Sequence, residues 1–196
     1  ARGGVMIWQA LVDGVLSGAI VALGAIGVTF SLAILRFANF SHGDLLAVGA
    51  YAALFLLAIT EGSSAAGEGL AAPIGPFSFG WALPLALAFA IVVVVLVALL
   101  LDRLVYRHLR RRGADPLTLV FASFGLALVL RNLILLFFGP DPFHYSTEIQ
   151  MAIRMPGSVL VMPDQILVFA ITLVVLAILW AFLRFTRHGI AMRSVA

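Results

Sequence analysis

The sequence predicts an all-α, polytopic transmembrane bundle of about five or six membrane segments, and three observations carry that prediction. Hydrophobic residues make up 63% of the chain and charged residues only 11%, whereas a soluble domain carries about 25% charged residues. Mean hydropathy is +1.16. Apolar runs recur over nearly the whole of the 196 residues, so the expectation is one membrane domain, residues 1–196, with no soluble catalytic domain beside it.

The first segment runs from Val5 to Leu35 with Asp13 as its only charge. A run of that length measures about 46 Å against a hydrocarbon core of about 30 Å, so it must tilt strongly or break. It is also too long for a secretion signal and continues past the small residues "VALGA", so it reads as a retained membrane segment. Gly14, Gly18, Gly24 and Gly27 lie within it, and "GVLSG" is a G-x-x-x-G that permits close helix approach. The second segment, Leu45 to Thr60, measures only about 24 Å, which points to an end inside the membrane or to local thinning. From Glu61 to Gly80 the chain is rich in glycine, serine, alanine and proline and reads as a flexible outer loop.

Trp81 to Leu101, with "IVVVVLVALLL" at its core, is long enough for one span. The basic stretch "DRLVYRHLRRRGADP" reads as a cytoplasmic loop, so the third span runs inward and the fourth, Pro116 to Phe138, runs outward. Arg131 and Asn132 lie in that fourth span, where an arginine is costly unless it snorkels or finds a partner. The loop from Pro140 to Pro163 has room for a short amphipathic or extended element. A fifth span from Asp164 or Gln165 to Phe185 follows and ends in the basic "RFTRHGIAMR".

Composition also excludes several functions. Cysteine is absent, and all twelve Lys+Arg residues are arginine. Thiolate metal sites, cysteine nucleophiles, Schiff-base chemistry and the Walker A lysine are therefore ruled out. The net charge of +3 comes from arginines in short stretches between apolar segments, without interleaved stacking aromatics, so nucleic-acid binding is not expected.

The chemistry is concentrated at Asn39, Phe40, Ser41, His42, Gly43 and Asp44, between the first two apolar runs. One reading is a solvated turn in which asparagine, serine or aspartate caps a helix. The other is a broken or re-entrant helix near residues 36–44, tolerated because it lines a polar passage or is buried in protein, with Gly43 relaxing the backbone. The short second segment favours the latter. His42 and Asp44 lack a third metal ligand nearby, no nucleophile motif accompanies them, and the "NFS" sequon falls on the cytoplasmic side.

The stretch "LRFANFSHGDLLAVGAYAA" resembles the N-F-[AS]-H-G-[DE]-L-x-x-x-G-A-Y signature of the branched-chain amino acid permeases of bacterial ABC importers, in particular the shorter of their two permease types. "GVLSGAIVALGAIGVTFSLAILR", "FASFGLALVLRNLILLFFGPD" and "TRHGIAMRSVA" extend the resemblance in order over most of the chain. It implies a transport subunit, not an enzyme, in the bacterial inner membrane, with no cofactor of its own. The implied partners are a second permease subunit, two cytoplasmic ATP-binding subunits that hydrolyse ATP, and an extracytoplasmic substrate-binding protein. Residues 39–44 match the family's polar break on the substrate path, and Gly189, Ala191, Met192 and Arg193 match the segment that docks on the ATPase. Family members continue beyond the position equivalent to Ala196, so a C-terminally incomplete domain is expected. Related permeases carry urea or short amides. The residues alone also admit an ion-coupled carrier with His42 and Asp44 as a proton relay, or an intramembrane enzyme.

Overall fold

The computed structural model describes residues 2–62, 77, 79–143, 152–155 and 159–185. Five helices among them are long and apolar enough to cross a membrane, and the protein is a multi-pass helical membrane protein. By contacts the residues fall into two units.

The first unit holds helix α1 (Arg2–Leu35) up to Ile34, strands β1 (Ile153–Met155) and β2 (Val159–Val161), and helix α6 (Pro163–Phe185). At 34 residues α1 is uninterrupted, about 51 Å long. It therefore takes the unbroken alternative, and a core of about 30 Å is crossed only with strong tilt or with ends that protrude. β1 and β2 pair antiparallel, Arg154 opposite Leu160, and supply the extended element expected in the outer loop. Gln9 of α1 behaves as a peptide group towards β2. Its Nε2 donates to the Leu160 carbonyl and its Oε1 accepts the Leu160 N–H, both at 2.9 Å, which satisfies backbone groups on a strand edge.

The second unit holds α2 (Ser41–Gly62), α3 (Ala82–Leu101), a π-helical turn (Asp102–Tyr106), α4 (Arg107–Arg111) and α5 (Pro116–Phe138). α2 packs on both α3 and α5. On α3 the buried residues Ala82, Ala86 and Ala90 recur every fourth position and meet Ala53 and Leu57 of α2. Small side chains at that spacing let two membrane helices approach closely, where dispersion rather than hydrophobic expulsion holds them. The approach is close at Gly49, where a Cβ would lie 2.9 Å from Val94 Cγ2. By contrast, a Cβ at Gly14, Gly18 or Gly24 of α1 would meet nothing within 4 Å among the described residues.

Two expectations are corrected. The second span does not start at Leu45: Ser41, His42, Gly43 and Asp44 form the first turn of α2, which is 22 residues long and, at about 33 Å, spans a core without thinning. Serine and aspartate are favoured at helix starts, so their polarity marked a beginning rather than a gap. Nor is Asp102–Arg111 a loop, for α3 continues through the π turn into α4 without leaving the helical path. Its apolar residues Leu101, Val105 and Leu109 keep a four-residue spacing that five arginines obscured. The connection proper is short and turns at Gly113, φ +73°, before Pro116 opens α5 at a position where its missing N–H costs nothing.

Gly49→Ala is expected to lower thermal stability of the detergent-solubilised protein. Overpacking of about 1–3 kcal/mol outweighs a helix-propensity gain of about 1 kcal/mol, because Val94 is stiff at χ1. Val94→Ala in the same chain should restore most of the loss. A Gly49→Ala protein at least as stable as the parent would contradict the close approach.

Candidate functional site

Helix α1 ends at Leu35, and the chain turns at Arg36, the one non-glycine residue with positive φ among those described, +58°. This left-handed residue after a helix is usually glycine; arginine there costs about 1–2 kcal/mol in backbone strain. Phe37 then inserts into a buried cluster with Tyr106 and Leu119, its ring centroid 5.4 Å from that of Tyr106.

At the start of α2 the Phe40, Ser41 and His42 N–H groups each find a protein acceptor. Asn39 acts as N-cap: its Oδ1 accepts the Ser41 N–H at 3.2 Å and the Ser41 hydroxyl at 2.7 Å, while its main-chain carbonyl accepts the His42 N–H at 3.3 Å. Because a backbone N–H can only donate, the atom facing Ser41 must be the amide oxygen. Tyr106, brought in by the π turn, donates its hydroxyl to the same oxygen at 3.0 Å and lies 3.2 Å from Ser41 Oγ. Ser123 of α5 completes the set, accepting the Phe40 N–H at 3.1 Å while its own hydroxyl donates to Val120 O at 2.7 Å. Ser41 and Ser123 have no solvent exposure and Tyr106 only 4%. No buried side-chain nitrogen or oxygen among the described residues lacks a partner.

The break is covered on the sides of α5 and the π turn, while Arg36, Ala38 and Phe40 stay exposed. Ser123 stands seven residues into α5, about 10 Å from its first residue. An irregular backbone at that depth is tolerated where protein groups satisfy it, as Ser123 does for the Phe40 N–H. The role given to Gly43 is corrected, since it lies in regular helix with space for a Cβ, and the strained position is Arg36.

Asp44 and Arg131 form the second polar feature. Arg131 Nε lies 3.3 Å from Asp44 Oδ1; the carboxylate side chain is 11% exposed and the arginine side chain 67%. Arg131 thus has a partner rather than depending on snorkelling, and among the described residues only the Nε of this largely exposed side chain is committed. Helical side chains lean towards the N-terminus, so an arginine at 131 reaches back to Asp44. Asn132 does not join them, because its Nδ2 donates to Leu128 O of its own helix at 2.7 Å. Phe40 is exposed and meets Phe124 edge-on at 6.4 Å; His42 is half-buried. Among the described residues no three His, Cys, Asp or Glu side chains cluster as metal ligands.

Gly189, Ala191, Met192 and Arg193 lie outside the described residues, as does most of the Glu61–Gly80 segment. Tyr106 and Ser123 were missed from the sequence. The apolar spacing of Leu101, Val105 and Leu109 would have exposed the first by showing that residues 102–111 are helical. Ser123, one hydroxyl in an apolar span, carried no comparable signal.

An apolar helical unit that holds a capped helix break and sets one acid–base pair between two spanning helices belongs to a multi-pass membrane protein. A family model described as "Branched-chain amino acid transport system / permease component" matches residues 10–196, and the chain belongs to that family. It is 30% identical over 198 residues to the high-affinity branched-chain amino acid transport system permease protein BraD of Pseudomonas aeruginosa. It is 26% identical over 201 residues to the corresponding permease protein LivH of Escherichia coli K12. Both alignments cover 96% of this chain and 58% of the relative, so the chain spans just over half the length of those relatives. No solved structure matches it.

Two substitutions test the cap. Tyr106→Phe removes one of several donors to Asn39 and should cost about 1 kcal/mol of stability. Asn39→Leu strips the Ser41 N–H of its acceptor and leaves the two hydroxyls only each other, one of them without an acceptor, and should cost several times as much. Equal thermal shifts for the two, measured in detergent, would show that Asn39 is not the hub.

Proposed function

We propose that the chain is part of a permease subunit of an ATP-driven importer in the bacterial inner membrane, and that the importer carries branched-chain amino acids. Residues 1–196 act as one membrane domain within that permease. Its partners are a second permease subunit, two cytoplasmic ATP-binding subunits and an extracytoplasmic binding protein. Without a Walker A lysine anywhere in the chain, ATP hydrolysis belongs to separate subunits.

The observation that carries the substrate reading is the Asp44–Arg131 pair. A free amino acid is a zwitterion, and its charges call for opposite charges held a few ångströms apart. The uncommitted Nη groups of Arg131 suit the substrate carboxylate, and Asp44 suits its ammonium. Urea and short amides are neutral and gain little from such a pair, so the amino acid is the better match. Asn39, Ser41 and Tyr106 hold the break in shape, His42 and Gly43 lie on the same first turn, and Asp44 alone of that turn meets the substrate. Gly189, Ala191, Met192 and Arg193 form the contact with the ATPase, following the match of "TRHGIAMR" to the family.

The test is uptake of labelled leucine by cells whose only high-affinity importer is the complex containing this permease. Isoleucine and valine should compete, and urea and acetamide should not; competition by the neutral compounds alone would replace the substrate assignment. Arg131→Gln should lower uptake about 10–100-fold, the value of one or two charge-assisted bonds, with membrane content unchanged. Arg193→Glu should weaken co-purification of the ATP-binding subunits, and undiminished recovery would count against that contact.

A further inference from the structure

The continuous helix from α3 through α4 carries a group of arginines that neither the polar break nor the Asp44–Arg131 pair uses. Arg103, Arg107, His108 and Arg111 line an open cavity of about 350 Å³. In a regular α-helix four residues overshoot a full turn by about 40°. The wider π turn at Asp102–Tyr106, in which the Arg107 N–H bonds back to Asp102 O, takes up that overshoot between Arg103 and Arg107. The same turn that sends Tyr106 inward to Asn39 therefore gathers these guanidinium groups on the outer side. Arg110 is separate, being paired with Asp102. No carboxylate among the described residues pairs with Arg103, Arg107 or Arg111.

The surface leading to this cavity is apolar. Leu96, Leu99, Leu100 and Leu104 are all exposed on the same continuous helix. α3 is about 30 Å long, the thickness of a hydrocarbon core, so the residues after Leu101 stand at headgroup level. An exposed leucine track ending in a pocket of an imidazole and three arginines that pair with no carboxylate among the described residues matches one amphiphile: a chain of hydrocarbon with a phosphate at its end.

We propose that Arg103, Arg107 and Arg111, with His108 as a further donor, bind the headgroup phosphate of one anionic phospholipid whose acyl chains lie along the leucines of α3. Guanidinium forks suit phosphate oxygens bidentately, and the arrangement goes beyond the general preference of basic segments for the inner side, which needs no pocket. Bound lipid would brace the π turn, and through Tyr106 the break at Asn39.

The experiment titrates phosphatidylglycerol and phosphatidylcholine of equal chain length into the detergent-solubilised protein and reads bound lipid by native mass spectrometry. Phosphatidylglycerol should be retained preferentially, released by about 1 M salt, and not displaced by millimolar inorganic phosphate. Changing all three arginines to glutamine should weaken its binding roughly a hundredfold, whereas Arg112→Gln, outside the cavity, should change it about twofold or less. Equal retention of the two lipids by the parent protein would overturn the proposal even if the triple variant failed to fold. Complete displacement by inorganic phosphate would overturn it in favour of a free-anion site, and an equal effect of Arg112→Gln would reduce it to diffuse charge attraction.

Discussion

The side-chain carbonyl of Asn39 accepts the Ser41 N–H, the Ser41 hydroxyl and the Tyr106 hydroxyl, and the second unit is organised around that one atom. A helix begins with N–H groups that have no partner in the helix itself. In water the solvent supplies acceptors, but in an apolar bundle each unsatisfied group costs several kcal/mol. Asn39 and Ser123 supply the acceptors from protein, and to do so they need Tyr106 and α5 in register with α2. The π turn, buried Phe37 and the Ser123 face of α5 all meet at this start.

Charge is distributed by the same logic. Nine acidic residues stand against twelve arginines, and the described ion pairs are two: Asp44 holds Arg131 across two helices, and Asp102 holds Arg110 along one. Arginine suits both uses, because it stays charged at any accessible pH and can commit one nitrogen while presenting the others. A lysine at 131 would have a single nitrogen to offer and would lose its charge more readily on burial. The wholly arginine basic content thus suits a chain whose cations must work next to hydrocarbon.

How much was legible in the sequence varied with the kind of signal. α5 begins and ends where expected, Pro116 and Phe138, because proline at a first turn and the glycine after Phe138 punctuate a long apolar run. α6 is shifted by only a residue or two. The start of α2 was misplaced because polar residues in an apolar chain look like an interruption, although serine and aspartate are what a helix start requires. Residues 102–111 were misread for a similar reason: dense arginine suggests a loop, yet helical geometry depends on backbone hydrogen bonds and on the apolar spacing underneath. In the candidate site, Asn39, Ser41 and Asp44 were visible as polar exceptions. Tyr106 and Ser123 were not, since their significance lies in what they face.

The sequence by itself determined the class of the protein: a hydropathy so high admits only a membrane environment, and segment lengths tuned to the bilayer determine the spans. It also located the polar break, because polar groups among apolar ones need a purpose. Only the tertiary structure decided what that break is made of, because hydrogen bonds between residues 67 or 83 positions apart depend on helix packing that no local pattern records. That packing joined the Asn39 cap to the buried hydroxyls of Ser41 and Tyr106 and gave Arg131 its partner in Asp44.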